Sequence, residues 1–239
     1  MKNNSFIWTD LSTYQPAESS RFYHTIFDWQ IHEDNGYRVA YQGGKEIAGI
    51  YETPAFFQKI NMPHFWMNYL QVAEVATIVE KARRLGARVE MEKQAFYGGQ
   101  IALIRDPMGA GFTVYDGDRL RQASGSFHGA VMGRELHVSN AAKAIDFYST
   151  LFDWQFVEGD YPTRFDALLP DQTHVASVEE LDNALKGKYE YWVTIFGVAN
   201  LPLAHQKILA EGGTLVVDEG NRRIFTDSQG EAFFYIQEH

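Results

Sequence analysis

Residues 133–139, Gly-Arg-Glu-Leu-His-Val-Ser, hold the makings of an acid–base pair. As a strand, this stretch puts Glu135 and His137 on one face with Gly133, because side chains alternate. A carboxylate and an imidazole so placed can trade a proton with a bound molecule. The competing reading is structural: Glu135 bonds to backbone at a junction and His137 sits at the mouth of the strand. Asp10 occupies the corresponding place 125 residues earlier (135 minus 10). A pocket acid and a structural acceptor would each explain an acid in both copies. The eight histidines are His24, His32, His64, His128, His137, His174, His205 and His239. None forms His-x-His, His-x-x-x-His or His-x-x-Glu on one expected element, so no local metal-ligand spacing is present. The absence of cysteine excludes disulfides, thiolate nucleophiles and zinc–thiolate centres. There is no Gly-x-Ser-x-Gly nucleophile motif, and Gly98-Gly99 reads as a hairpin turn without phosphate-loop spacing.

The elements that must position these residues are repeated. Glu18–Ile31 reads ESSRFYHTIFDWQI, and Ala144–Phe156 reads AIDFYSTLFDWQF. Aligned on Phe22-Tyr23 and Phe147-Tyr148, both copies run on to Phe-Asp-Trp-Gln, again 125 apart. A match this long at constant spacing marks a tandem repeat. Phe6–Ser12 alternates as a strand, with Ile7, Thr9 and Leu11 on one face and Trp8, Asp10 and Ser12 on the other. Pro16 opens a helix whose Phe22, Tyr23, Ile26 and Phe27 form an apolar stripe. Short strands follow around 30–33, 37–42 and 46–51. The order restarts with a strand at 66–72, a helix at 74–85 ended by Gly86, and strands near 88–93, 100–105 and 111–116. The second half repeats it, with Asn140 capping a helix and 178–188 reading as a loop. Four β-α-β-β-β modules result. The expected division is a first domain at 1–118 (modules 1–60 and 61–118), a linker at 119–129, and a second domain at 130–239 (modules 130–187 and 188–239).

Bulk properties narrow the function classes. A net charge of −10 disfavours nucleic acid and anionic membranes, whose phosphates it repels. The N-terminal MKNNSFIWTD has no signal-peptide apolar core, and no apolar run is long enough to span a bilayer. A cytoplasmic protein acting on a small molecule, as monomer or homodimer, is the expectation.

Phe-Tyr in the first helix, Phe-Asp-Trp after it, and Asp-Pro-x-Gly before the last strand resemble the vicinal oxygen chelate superfamily. That superfamily includes glyoxalase I, bleomycin-resistance proteins and extradiol dioxygenases. Phe-Ile-Trp-Thr-Asp-Leu and Leu-Ile-Arg-Asp-Pro-Met-Gly look like its tandem two-domain, glyoxalase-related members. The resemblance implies an α+β fold: two cupped, mostly antiparallel sheets with helices outside and a cleft in each. In metal-using members four cleft-facing side chains hold one divalent ion. Here the matching positions fall on Trp8, Gly133, Met67, Val193, Gly49, Thr113 and Phe234, none a strong ligand. The expectation is therefore no family-type metal site, no cofactor, and an aromatic cup formed by Trp8, Asp10, Met67, Tyr69, Gln71, Thr113 and Tyr115 for a small hydrophobic or aromatic molecule. Phe56 and Phe57 would cover that cup or anchor a loop. The alternative is a metal-dependent lyase, isomerase or dioxygenase with a displaced site near Glu135 and His137.

Overall fold

The structure is a computed structural model describing residues 4–95 and 98–239. Met1 to Asn3, the start of the stretch read above for a signal peptide, lie outside the described residues. The first module is β1 (Phe6–Thr13), α1 (Pro16–Phe27), β2 (Gln30–Asp34), β3 (Tyr37–Gln42) and β4 (Lys45–Glu52). After the short α2 (Ala55–Lys59) come β5 (Phe65–Gln71), α3 (Val75–Arg84), β6 (Arg88–Gln94), β7 (Gln100–Arg105) and β8 (Gly111–Tyr115). The third module is β9 (Val131–Val138), α4 (Ala141–Phe152), β10 (Gln155–Glu158), β11 (Arg164–Leu168) and β12 (His174–Glu180). Then follow α5 (Asn183–Lys186), β13 (Tyr191–Val198), α6 (Leu201–Ala210), β14 (Thr214–Asp218), β15 (Arg222–Thr226) and β16 (Phe233–Glu238).

The expected fold class is the one observed: two eight-stranded mixed sheets with helices outside. Their orders are β2-β3-β4-β1-β5-β8-β7-β6 and β10-β11-β12-β9-β13-β16-β15-β14. Each module closes with its first and last strands parallel, as in β1–β4 and β5–β8, while its hairpins are antiparallel. Two stretches expected as loops hold more structure. Residues 53–62 contain α2, and 178–188 begin with two further strand residues before α5. Asp182 caps α5 by accepting a bond from the Ala184 amide, 2.7 Å away.

The chain divides into two compact units. One comprises Met1–Ile7, Asn68–Arg121 and Arg134–Val193; the other comprises Trp8–Met67, Gln122–Gly133 and Thr194–His239. Each has its own apolar core. The repeated motif supplies both cores, which explains its residue types. Phe-Asp-Trp ends a helix and turns the chain inward: Asp28 and Asp153 take left-handed backbone (φ 57° and 60°) as C-caps. Short acidic side chains tolerate that conformation. Trp29 is then buried and donates from Nε1 to the Gly129 carbonyl at 2.9 Å. In the other unit Trp154 donates to the Asn4 carbonyl at 2.9 Å. Tyr148 stacks on Phe152 and Trp154, accepts from Trp192 Nε1 at 3.1 Å and donates to Asp106 Oδ2 at 3.0 Å. Asp106 also accepts from the amides of Met108, Gly109 and Ala110, so the Asp-Pro-x-Gly turn is knotted by one buried carboxylate.

A carboxylate–histidine–carboxylate face on the second sheet

Strand register brings the polar residues of the third module together. Glu135 and His137 share one face of β9, while Leu136 and Val138 face the core. The parallel pairing of β12 with β9 sets Ser177 beside Glu135 and Glu179 beside His137. Residues in register point to the same face. Extension of β12 to Glu180 is therefore what delivers Glu179. The antiparallel pairing of β11 with β12 then sets Arg164 opposite Glu179.

The donors converge. Ligand atoms of Glu135, His137 and Glu179 all lie within 4.8 Å of one another. The side chains of Glu135 and His137 are fully buried, and that of Glu179 is 7% exposed. With the ring neutral, His137 Nε2 donates to Glu135 Oε1 at 2.9 Å. Its Nδ1 is then the acceptor, 3.5 Å from the Tyr191 hydroxyl. Burial, and secondarily Glu190, pushes the Tyr191 phenol up to about 12, so at neutral pH it stays a donor. Tyr161 donates to Glu179 Oε2 at 3.1 Å. The Arg164 guanidinium lies among these groups. One end donates to Glu135 and stands 4.0 Å from Glu179 Oε2. The other end donates to Ser177 Oγ at 2.8 Å, and Nε is 3.8 Å from Asp166. Glu135, Glu179 and Arg164 sum to a formal charge of minus one.

This cluster does not match the expectation of a chain without metal ligands. Two hard oxygen donors and an imidazole are a set that suits Mn, Fe or Zn. Gly133, the position that the resemblance marks on this strand, lies two residues from Glu135 on the same face. Glu179 joins this face because β12 runs two residues beyond the strand end expected at 178. Arg164 was missed because nothing local links it to an acid 29 residues away.

The equivalent place in the first sheet is built otherwise. There β4 pairs with β1, setting Gly49 beside Asp10 and Tyr51 beside Ser12, and Tyr37 lies opposite Tyr51. Asp10 Oδ1 accepts from Trp8 Nε1 and from the Tyr37 hydroxyl, both at 2.6 Å. A Cβ on Gly49 would stand 2.0 Å from Asp10 Oδ1 and from the Tyr37 oxygen, so only glycine leaves room for this plug. Trp8 is buried to 1% exposure and Asp10 to 4%. Among the other residues expected to line the first cup, Met67, Thr113 and Tyr115 are buried, and Tyr69 and Gln71 are partly exposed. Register pairs Tyr69 with Thr113 and Gln71 with Tyr115. Gln71 Nε2 is committed to the Gly117 carbonyl at 2.6 Å. Phe56 on α2 is 64% exposed.

Residues 5–114 match the model of the Glyoxalase/Bleomycin resistance protein/Dioxygenase superfamily. Over 96% of this chain and 92% of the relative, the sequence is 23% identical to the anthracycline biosynthesis protein DnrV of Streptomyces peucetius. The fold is similar to that of the Mn(II)-bound glyoxalase from Novosphingobium aromaticivorans, with a TM-score of 0.66 and 10% identity over 99% of this chain and 82% of that one. It is also similar to the 2,3-dioxygenase LapB from Pseudomonas sp. KL28, with a TM-score of 0.65 and 11% identity over 100% and 94%. No described helix is long and apolar enough to cross a membrane.

Proposed function

As a member of the Glyoxalase/Bleomycin resistance protein/Dioxygenase superfamily, this chain, we propose, handles a small hydrophobic or aromatic molecule on the face of the second sheet that carries Glu135, His137 and Glu179. In this reading residues 1–118 form the first domain and 130–239 the second, joined by 119–129, and the working site belongs to the second. The observation that carries it is the convergence of three buried ligand atoms within 4.8 Å. These three residues would hold a divalent cation. The set fits one in donor chemistry, in spacing and in charge, since its net negative charge is costly to bury without a partner. Arg164 can give up Glu135 and keep its bonds to Ser177 and its place beside Asp166.

A bound divalent ion supplies Lewis-acid polarisation of a ligand oxygen. The chain's own residues do the rest. Where Glu135 and His137 Nε2 hold a cation, the Nε2 hydrogen gives way to it and moves to Nδ1, where the Tyr191 hydroxyl can accept it. Tyr191 fixes the far ring nitrogen of His137, which sets the direction in which that imidazole exchanges its proton. Tyr161 and Arg164, on the outer side of the cluster, offer a ring and a guanidinium to a planar ligand. In the first sheet, Tyr69 and Gln71 remain candidates for ligand contact, while Trp8 and Asp10 serve as a plug. The relative named for anthracycline biosynthesis, and the dioxygenase of similar fold, support an aromatic ligand.

A second reading rests on Arg164: its guanidinium already answers Glu135, so the same face can bind a molecule with Glu135 and His137 as an acid–base pair alone. Metal analysis by mass spectrometry on protein purified without chelator separates the two. A stoichiometric Mn, Fe, Zn or Ni, with turnover of a catechol or a hemithioacetal that Glu135→Gln removes, is the expected result. Turnover or ligand binding unchanged by Glu135→Gln would place the site elsewhere.

A further inference from the structure

Arg164 occupies the carboxylate oxygens that a cation would need. It donates to Glu135 and stands 4.0 Å from Glu179, so guanidinium and cation cannot both be seated between the two acids without strong repulsion. The side chain is half anchored elsewhere. Ser177 Oγ accepts from it at 2.8 Å, Asp166 lies 3.8 Å from Nε, and its Cζ is 5.9 Å from the Tyr161 ring centre. Ser177 in turn donates to Asp166 Oδ1 at 2.7 Å, which fixes that second seat in advance. The repeat shows that a donor in this position is a feature of the strand pairing. Tyr37, opposite Tyr51 as Arg164 is opposite Glu179, reaches over Gly49 to Asp10 in the same way, but without charge.

From this we infer that Arg164 is a built-in competitor for the cation site: it holds Glu135 when the site is empty, swings toward Ser177 and Asp166 when a divalent ion enters, and so sets the affinity for that ion. The inference rests on the cation reading above. Ion binding is then the difference between two charge-assisted contacts, and selects for ions that bind carboxylate strongly enough to displace an arginine.

The test is calorimetric titration of metal-stripped protein with MnCl2. Arg164→Met removes the competing charge and keeps the length of the chain. It is expected to tighten Mn(II) binding about tenfold, the value of one contact to a charged group. Arg164→Lys keeps a positive charge for Glu135 but loses the fork, and is expected to tighten binding by a smaller factor. If Arg164→Met does not fold in metal-free buffer, Arg164→Lys alone decides. Unchanged or weaker binding in the folded variants would overturn the competitor role. If Glu135→Gln still abolishes binding in that case, the cation reading survives without it. If neither parent nor variants bind Mn(II), the cation reading falls and the competitor role falls with it.

Discussion

The first strands of modules one and three carry an acid at the same position of the repeat and surround it differently. In β1 one acid, Asp10, is closed over by two neutral donors, Trp8 and Tyr37, above a glycine. In β9 Gly133 stands where Trp8 stands, and Ser177 replaces Gly49. His137 takes the place of Ser12, Glu179 that of Tyr51, and Arg164 that of Tyr37. Five exchanges turn a wall with one acid held by neutral donors into one with two acids, an imidazole and a guanidinium. The fold is held by residues that both copies share, so the face between them is free to diverge.

That contrast can be broken most severely at the plug. Trp8→Ala removes the largest side chain of the first wall and is expected to cost about 3–5 kcal/mol in urea unfolding. Its counterpart Gly133→Ala should fold normally, because the added Cβ meets only Ile195 Cδ1 at 3.5 Å. Equal, small losses at both positions would show that the first wall is not a packed plug. Gly49→Ala is next. Its Cβ would overlap Asp10 and Tyr37, with an expected cost of about 1–3 kcal/mol. At the matching position, Ser177→Ala loses a hydroxyl that bonds to Arg164 and Asp166, for about 1 kcal/mol. A larger loss at Ser177 than at Gly49 would reverse the roles assigned to the two walls.

A smaller comparison sits in the closing turns. Asp106 and Asp227 do the same job in the two units, and burial holds both carboxyls above the ordinary range. A raised acid binds its proton more tightly in the folded state than in the unfolded chain. Each therefore costs nothing below the ordinary aspartate value and destabilises increasingly as pH rises through its folded value. Asp106 offsets this with Tyr148 and three backbone amides. Asp227 Oδ2 is buried without a hydrogen-bond partner among the described residues. Asp227→Asn should thus flatten the pH dependence of the unfolding free energy at less cost at neutral pH than Asp106→Asn. An identical response at the two turns would contradict that assignment.

The repeat, the four modules and the two faces of the first strand were legible because packing leaves local signals. Ile26 follows Phe22 and Tyr23 by one helical turn, and Asp28 and Asp153 mark helix ends that take left-handed backbone. The pairing of Glu135 with His137 was legible for the same reason, since the two alternate along one strand. The rest of the site was not, because it is assembled across strands. Glu179 depends on how far β12 runs, and two residues of strand length decide whether it joins the face or a loop. Arg164 depends on hairpin register. The positions carried over by resemblance were counted from turn and helix motifs, and that count does not extend to residues such as Glu135 that lie two places further along the same face.

The proposed cation belongs to the wall of Glu135, His137 and Glu179 and not to that of Asp10. Titration of metal-stripped protein with Mn(II) tests it directly. The expected result is one site per chain, abolished by Glu179→Gln and unaffected by Asp10→Asn. No binding, two sites per chain, or loss of binding in Asp10→Asn alone would contradict it.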